Sequence, residues 1–437
     1  MTERQQINLT LLHVGIGSLI AFHLPLSKIY LLLIIILGFY IVVKNKNNEI
    51  LYVIAYIAGS EVFLRTTYGN HFYELGKYLM LFFTFLGFFY SGFPKIKNPY
   101  LIYLLVLFPS VFLSLMYING DVRKTISIEI LGPICLGVLA LYTYKREISA
   151  KQIKIILNLI ALPVLGSCVF LILRYSRNIY SVNPYASNFY FSGNYAPNQM
   201  ATVLGLGFFI YLLKIIIESD SKKIFYLNLF LLCLISYRGF LTFSRGGILT
   251  AVITILFLFL SIYISRKEYY TLKRKISLSF ILFLSIFALT SCQTQNKLFS
   301  RYTNLKLLDS KYFFKNDGRY IQAKSDFENF IEKPILGVGV GKAKEIRIIK
   351  YKKEISTHSE VTRLLSEHGI LGLVALLILI FYPLQLYSKD LRNFYLLPFF
   401  VFWLLTINHS ATRVIAPLFL YALTLLQIKF EKEEDVI

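Results

Sequence analysis

One imidazole and a group of guanidinium side chains are the residues in this chain best suited to chemistry, and they gather in one stretch. Between Gln293 and Ser359 a succession of hydrophobic runs gives way to a long polar excursion rich in arginine and lysine, with His358 at its end. Helix connections are usually a handful of residues, so a segment of this length is expected to do more than turn the chain. His358 stands in Thr357-His358-Ser359-Glu360, where the polar stretch meets the next apolar run. A lone histidine is more often structural than catalytic. Beside arginines, however, an imidazole is kept neutral by the surrounding positive charge and stays available as a base.

Three further constellations accompany it. Phe243-Ser244-Arg245-Gly246-Gly247 opens an apolar run. An arginine there can be a simple snorkelling anchor, but adjacent glycines allow close backbone approach. At a helix start their N–H groups, with the guanidinium, suit a phosphate oxygen. Asp317-Gly318-Arg319-Tyr320 places Arg319 on an amphipathic helix aimed at the same place. The alternating glycines of Pro334-Ile335-Leu336-Gly337-Val338-Gly339-Val340-Gly341 lack the Lys-Ser/Thr of a P-loop and read as a tight external turn packed on the membrane domain. Finally, Tyr195-Ala196-Pro197-Asn198 follows an external loop holding Arg174 and Arg177. Pro197 suits a first helical turn, and Asn198 can cap that helix or hydrogen-bond a sugar, capping being the commoner role. Glu61, Arg65, Arg123, Arg301, His409 and Arg413 are additional external polar residues that read as interfacial.

The elements that position these residues are membrane helices. With 56% hydrophobic and 16% charged residues and a mean hydropathy of +0.60, the chain lies far outside the soluble range. Fourteen apolar segments are long enough, or nearly so, to cross a hydrocarbon core of roughly 30 Å. Three pairs are joined by very short links, at Leu24 to Lys28, Gly239 to Arg245 and Asn408 to Ala411, so the expected count is 12 to 14 spans. The fold class is all-α, a polytopic integral membrane protein with one long external loop containing short helices.

Orientation follows from Lys and Arg in the short loops, which mark the cytoplasmic side. Lys44, Lys97, Lys145, Arg146, Lys222, Lys223 and the block from Arg266 to Lys275 fall on one side. The long segment then faces outward. Residues 1–292 form the N-terminal membrane region, 293–361 the external catalytic loop, and 362–437 the C-terminal spans with a short cytoplasmic tail. The net charge of +22 divides between cytoplasmic anchors to anionic lipid heads and an external set with its own purpose. Cys135, Cys168, Cys233 and Cys292 have no spacing that suggests disulfides or metal. No cleavable signal peptide and no internal repeat is evident.

Taken in order, Tyr195-Ala196-Pro197-Asn198, Ser244-Arg245-Gly246-Gly247, Arg301, Arg319, the glycine run 337–341, His358-Ser359 and Glu367-His368-Gly369-Ile370-Leu371-Gly372 resemble the O-antigen ligase and polymerase family of bacterial envelopes. The resemblance covers roughly residues 190–380, where order and spacing are more specific than any single motif. It implies an inverting, metal-independent, membrane-embedded glycosyltransferase of the C type, working on the outer face of the bacterial cytoplasmic (inner) membrane. The donor would be a glycan on a polyprenyl diphosphate, and the acceptor a lipid or glycan hydroxyl. On matching positions, His358 is the general base and Arg245 and Arg319 hold the diphosphate, with Arg301 assisting. Asn198, Ser244, Arg174 and Arg177 are further candidates for substrate contact. The family often has asparagine after the histidine; here it is Ser359.

The residues fit that chemistry on their own terms. A sugar diphosphate carries a good leaving group, so the enzyme must stabilise departing negative charge and activate an alcohol. Arginine forks and a neutral histidine do both, and neither a cofactor nor a metal is expected. An apolar groove for the lipid tail is expected below Arg245. Within the family a ligase is favoured over a polymerase by the Arg319 to His358 segment. A secondary transporter is the more distant alternative, since such proteins keep ionisable residues near the midplane. Nucleic acid is not an expected partner.

Overall fold

The computed structural model describes residues 2–44, 48–93, 97–117, 122–177, 179, 182–184, 186–218, 221–265, 270–303, 318–352, 359–409 and 411–430. All fourteen apolar segments are helices. In chain order they are α1 (Glu3–Phe22), α2 (Leu26–Val43), α3 (Ile50–Thr66), α4 (Leu75–Ser91), α5 (Pro99–Tyr117), α6 (Val122–Thr143), α7 (Ala150–Arg174), α8 (Pro197–Ile217), α9 (Lys222–Leu241), α10 (Arg245–Ile264) and α11 (Tyr270–Gln293), then α15 (Glu360–Lys389), α16 (Leu396–Thr406) and α17 (Ile415–Leu423). The polar segment between α11 and α15 supplies α12 (Lys297–Thr303), α13 (Gly318–Glu332) and α14 (Lys342–Tyr351). At each of the three short links the helix is broken, so no pair is one continuous rod.

Among the described residues, 8 helices are long and apolar enough to cross a membrane. The chain is an all-α polytopic membrane protein, and for three of the other six helices the shortfall has a visible physical cause. α3 has 17 residues and carries buried Glu61 and Arg65, so it spends part of its length on ionic contacts. α16 and α17 have 11 and 9 residues; at 1.5 Å per residue such helices rise about half of a ~30 Å core. Most of the described residues of the turn that joins them are covered by protein. Ile407, Thr412 and Val414 are all buried.

α8 is the central helix, buried along its length and flanked by α7, α9 and α10. Its crossing with α10 depends on missing side chains: a Cβ on Gly247 would stand 2.3 Å from the Ala201 carbonyl carbon. Small residues at such crossings let backbones approach, the usual basis of helix association in lipid. α11 lies at the other extreme, with only 17% of its apolar window buried, and faces the bilayer. One feature adds to the all-α expectation: two three-residue strands, β1 (Glu147–Ser149) and β2 (Gln427–Lys429), pair in parallel and fasten the end of the chain to the α6–α7 link.

Candidate active site

The site is built on the first turn of α10. Ser244 precedes it as the N-cap residue, yet its side chain makes no capping bond. Instead the buried Ser244 hydroxyl donates to Asn198 Oδ1 at 2.8 Å. Asn198 in turn does not cap α8, whose N-terminus has Pro197 in its first turn and no side-chain cap. The expected cap is therefore a tie between the starts of α8 and α10. Arg245 emerges exposed from that tie, beside N–H groups that no side chain caps.

Two more arginines converge there. Arg301, on α12, donates from Nε to the Phe243 carbonyl at 3.1 Å and so clamps the turn leading into α10. Burial, then the like charge of Arg245, then that of Arg319, hold the Arg301 guanidinium below its ordinary pKa. Arg301 thus feels the charge of two arginines, Arg245 on α10 and Arg319 on α13. Arg319 acts from the exposed first turn of its helix.

The turn between α16 and α17 closes the site. Its His409 ring lies against Gly246, where a Cβ would come within 3.0 Å of the imidazole Cδ2. His409 Nδ1 is 3.1 Å from the Leu405 carbonyl; a carbonyl only accepts, so Nδ1 carries the proton and Nε2 the lone pair. Nε2 is 3.3 Å from the oxygen of the Thr202 hydroxyl, whose one hydrogen is donated to the Asn198 carbonyl at 2.8 Å. Burial, and then the charge of Arg319, push the imidazole down to about 4, so it is neutral at physiological pH. The same turn meets the start of α15: the Glu360 N–H donates to the Ile407 carbonyl at 2.9 Å, and the Ser359 hydroxyl lies 3.4 Å from Asn408 Oδ1. His358, the expected base, lies outside the described residues.

The glycine run serves packing. Gly337, Gly339 and Gly341 have φ of 71°, 96° and 78°, values open to glycine at little cost. Their N–H groups are consumed: Gly339 donates to the Glu367 carbonyl at 3.1 Å and Gly341 to Glu367 Oε1 at 2.9 Å. They seat the polar segment against the kink of α15 at Gly369, where Ile370 N–H reaches the Pro334 carbonyl at 2.7 Å. α13 is held by a buried ion pair, Arg347 Nη1 to Asp326 Oδ1 at 2.5 Å, and by Asn329 donating to Ser366 at 3.0 Å. Arg319 thus stands on a braced helix.

Below Arg245 the lateral surface is apolar. A groove of about 100 Å³ runs between α8, α10 and α11, lined by Phe208, Leu212, Val252, Ile255, Phe259 and Phe280, among others. Val252 lies two helical turns from Arg245, about 10 Å along the axis.

Other candidates stand apart. Arg174 donates from Nη1 to the Ala21 carbonyl at 2.8 Å, satisfying the C-terminal end of α1, and Arg177 is exposed; neither enters the observed arginine group. Arg123 has no described side chain. Glu61 and Arg65 are not interfacial scenery. Arg65 pairs with Glu61 at 2.7 Å and Glu74 at 3.0 Å, donates to the Arg413 carbonyl at 2.9 Å, and Glu61 accepts from the Ile415 N–H at 2.6 Å. A second buried network, Arg363 with Glu360, Glu367 and Glu129, was not foreseen from sequence. Its only sequence signal is an arginine spaced i−3 and i+4 from two glutamates.

A family model described as O-antigen ligase matches residues 229–377. That interval contains Arg245, Arg301, Arg319 and the glycine run. No curated protein matches the chain.

Proposed function

We propose, from the match of residues 229–377 to the O-antigen ligase family model, that the chain transfers a glycan from a polyprenyl diphosphate to an acceptor hydroxyl on the outer face of the cytoplasmic membrane. The observation that carries this is that Arg245, under the electrostatic influence of Arg301, opens α10, while an apolar groove borders the same helix from about two turns further on. A polyprenyl diphosphate has the matching division: a headgroup with concentrated negative charge and a hydrocarbon tail that enters from the bilayer.

Arg245, Arg319 and Arg301 hold the diphosphate in this reading. Guanidinium forks pair with phosphate oxygens in a fixed geometry, and the uncapped start of α10 adds N–H groups and a favourable dipole. Ser244 and Asn198 fix where Arg245 emerges. His358 is the base, supported by its covalent neighbour Ser359 being docked on the 407–409 turn beside the cluster. The acceptor oxygen forms the new bond to the anomeric carbon from the face opposite the diphosphate. The carbon–oxygen bond to the diphosphate breaks, the electron pair leaves with the polyprenyl diphosphate, and the acceptor proton passes to His358. The arginines neutralise the leaving charge, the role a divalent cation fills in other phosphate chemistry. Residues 293–361 supply the external loop of the reaction site, between the membrane regions 1–292 and 362–437.

Ligase action is the preferred form. The test is deletion of the gene followed by gel analysis of surface glycans, with complementation by the wild type or by His358→Ala. Lost attachment with free polymer retained marks a ligase; decoration by single repeat units marks a polymerase. Normal surface glycan with His358→Ala, at equal protein abundance, would remove His358 as the base.

A further inference from the structure

We propose that the pocket between α4, α6, α15 and the 411–413 turn is the acceptor subsite, and that it takes a neutral, hydroxyl-rich sugar ring. The assignment rests on the glycosyltransferase reading above and adds the chemistry of the second substrate.

The cavity is about 210 Å³, smaller than the roughly 300–1,000 Å³ of drug-sized sites, a scale suited to one ring of a glycan. Its lining carries three carboxylates, Glu74, Glu129 and Glu360, and three cations, Lys77, Arg363 and Arg413. These formal charges cancel. A lining without net charge gives no long-range preference for an anion, which sets it apart from the Arg245, Arg301 and Arg319 group. A sugar hydroxyl both donates and accepts, so a polyol finds partners in carboxylates and cations alike. The two sites therefore divide the substrates by charge: diphosphate to the arginine group, uncharged polyol to the balanced pocket.

The pocket is built rather than incidental. Lys77 Nζ is 3.0 Å from Glu74 Oε2, Arg363 Nη1 is 3.5 Å from Glu129 Oε2, and Arg363 also pairs with Glu360. Groups fixed in advance lose little freedom when a ligand arrives. The rim is open: Tyr73 is 49% and Ile128 46% exposed. Arg65 lies 4.1 Å from the Tyr73 ring centroid and keeps that ring in place at the entrance.

The pocket also adjoins the reaction turn. Glu360 follows Ser359 directly in the chain, and its N–H is bonded to Ile407. Thr412, in the lining, donates to Glu360 Oε2 at 3.4 Å. Three residues before Thr412, His409 touches Gly246 at the arginine group. One short turn thus separates the balanced pocket from the cationic one, the arrangement needed to present an acceptor hydroxyl to a donor held next to it.

Two probes separate the subsites. The first is the delipidated oligosaccharide of the host's surface acceptor, released by mild acid hydrolysis from the gene-deletion strain, whose acceptor carries no transferred glycan; the second is undecaprenyl diphosphate. Binding of each to the detergent-purified full chain is measured by titration. Ile128→Trp obstructs the rim without removing an ion pair and is expected to weaken oligosaccharide binding by about tenfold or more, with undecaprenyl diphosphate binding kept. Glu129→Gln, which removes one charge from a partly exposed position, is expected to weaken the oligosaccharide several-fold. Arg245→Ala should show the reverse pattern. The acceptor assignment is overturned if Ile128→Trp binds the oligosaccharide as the wild type does, or if the wild type binds undecaprenyl diphosphate but not the oligosaccharide. A wild type that fails to bind undecaprenyl diphosphate overturns the donor reading instead, and the acceptor assignment with it.

Discussion

The imidazole of His409 rests on the bare backbone of Gly246, so closely that any side chain there would stand 3.0 Å from the ring. Gly246 directly follows Arg245, and His409 feels the charge of Arg319. The contact therefore sets the spacing between the head of α10 and the 407–413 turn. Gly246→Val is expected to push these apart and lower transfer by about 10²-fold, the cost of roughly 1 Å of misplacement at a reacting centre, while the protein still inserts and purifies. Turnover in proteoliposomes, set beside the yield of monodisperse protein, checks both halves.

Arg245→Lys tests the proposed phosphate contact. An ammonium keeps the charge but loses the planar fork. Turnover is expected to fall by about tenfold to a hundredfold, equivalent to roughly 1.4–2.7 kcal/mol of transition-state stabilisation. Rates within twofold of wild type would return Arg245 to the role of interfacial anchor.

Much of this arrangement was legible in the sequence because it is local. The helices follow from runs of apolar residues, and the glycines at 337, 339 and 341 announce backbone that other residues adopt with strain. What escaped notice is long-range. Glu61 and Arg65 look like interfacial residues until Ile415 supplies an N–H and Arg413 a carbonyl from the far end of the chain. Arg363 carries no motif of its own, and its third carboxylate, Glu129, comes from another helix. Ser244 and Asn198 show the reverse case. Each has a residue type and position that propensity assigns to capping, and tertiary proximity turns them toward each other instead.

His409 also gives stability a pH dependence. Its imidazole is held at about 4 in the folded chain, first by burial and then by Arg319, against the ordinary 6.5. As pH falls from 6.5 toward 4, the unfolded chain binds a proton that the folded chain refuses, so stability falls across that window and is flat above it. The full difference is about 3 kcal/mol at most. In thermal unfolding of detergent-solubilised protein, His409→Gln should show a shallower decline of Tm between pH 6.5 and 4.5 than the wild type. Parallel slopes would mean that His409 takes up its proton normally.

The glycine run offers a contrast between two roles that predict opposite phenotypes. If the loop cradled phosphate, replacing Gly337 would weaken donor binding and leave stability unchanged. Its backbone geometry argues otherwise: φ is 71°, and a Cβ would stand 2.4 Å from the Glu367 carbonyl carbon, in a place where Val338 and Gly339 already bond the α15 backbone. Gly337→Ala must then move α13 and α14 away from α15 or distort the kink at Gly369, at a cost of about 2–4 kcal/mol from strain and overpacking together. The expected result is a lowered Tm and early proteolysis of the polar segment. The fraction that remains folded should bind undecaprenyl diphosphate with nearly unchanged affinity, because in the proposed reading the arginines, not the glycine backbone, hold the headgroup. Weakened binding at an unchanged Tm would reverse this assignment and make the loop part of the phosphate site.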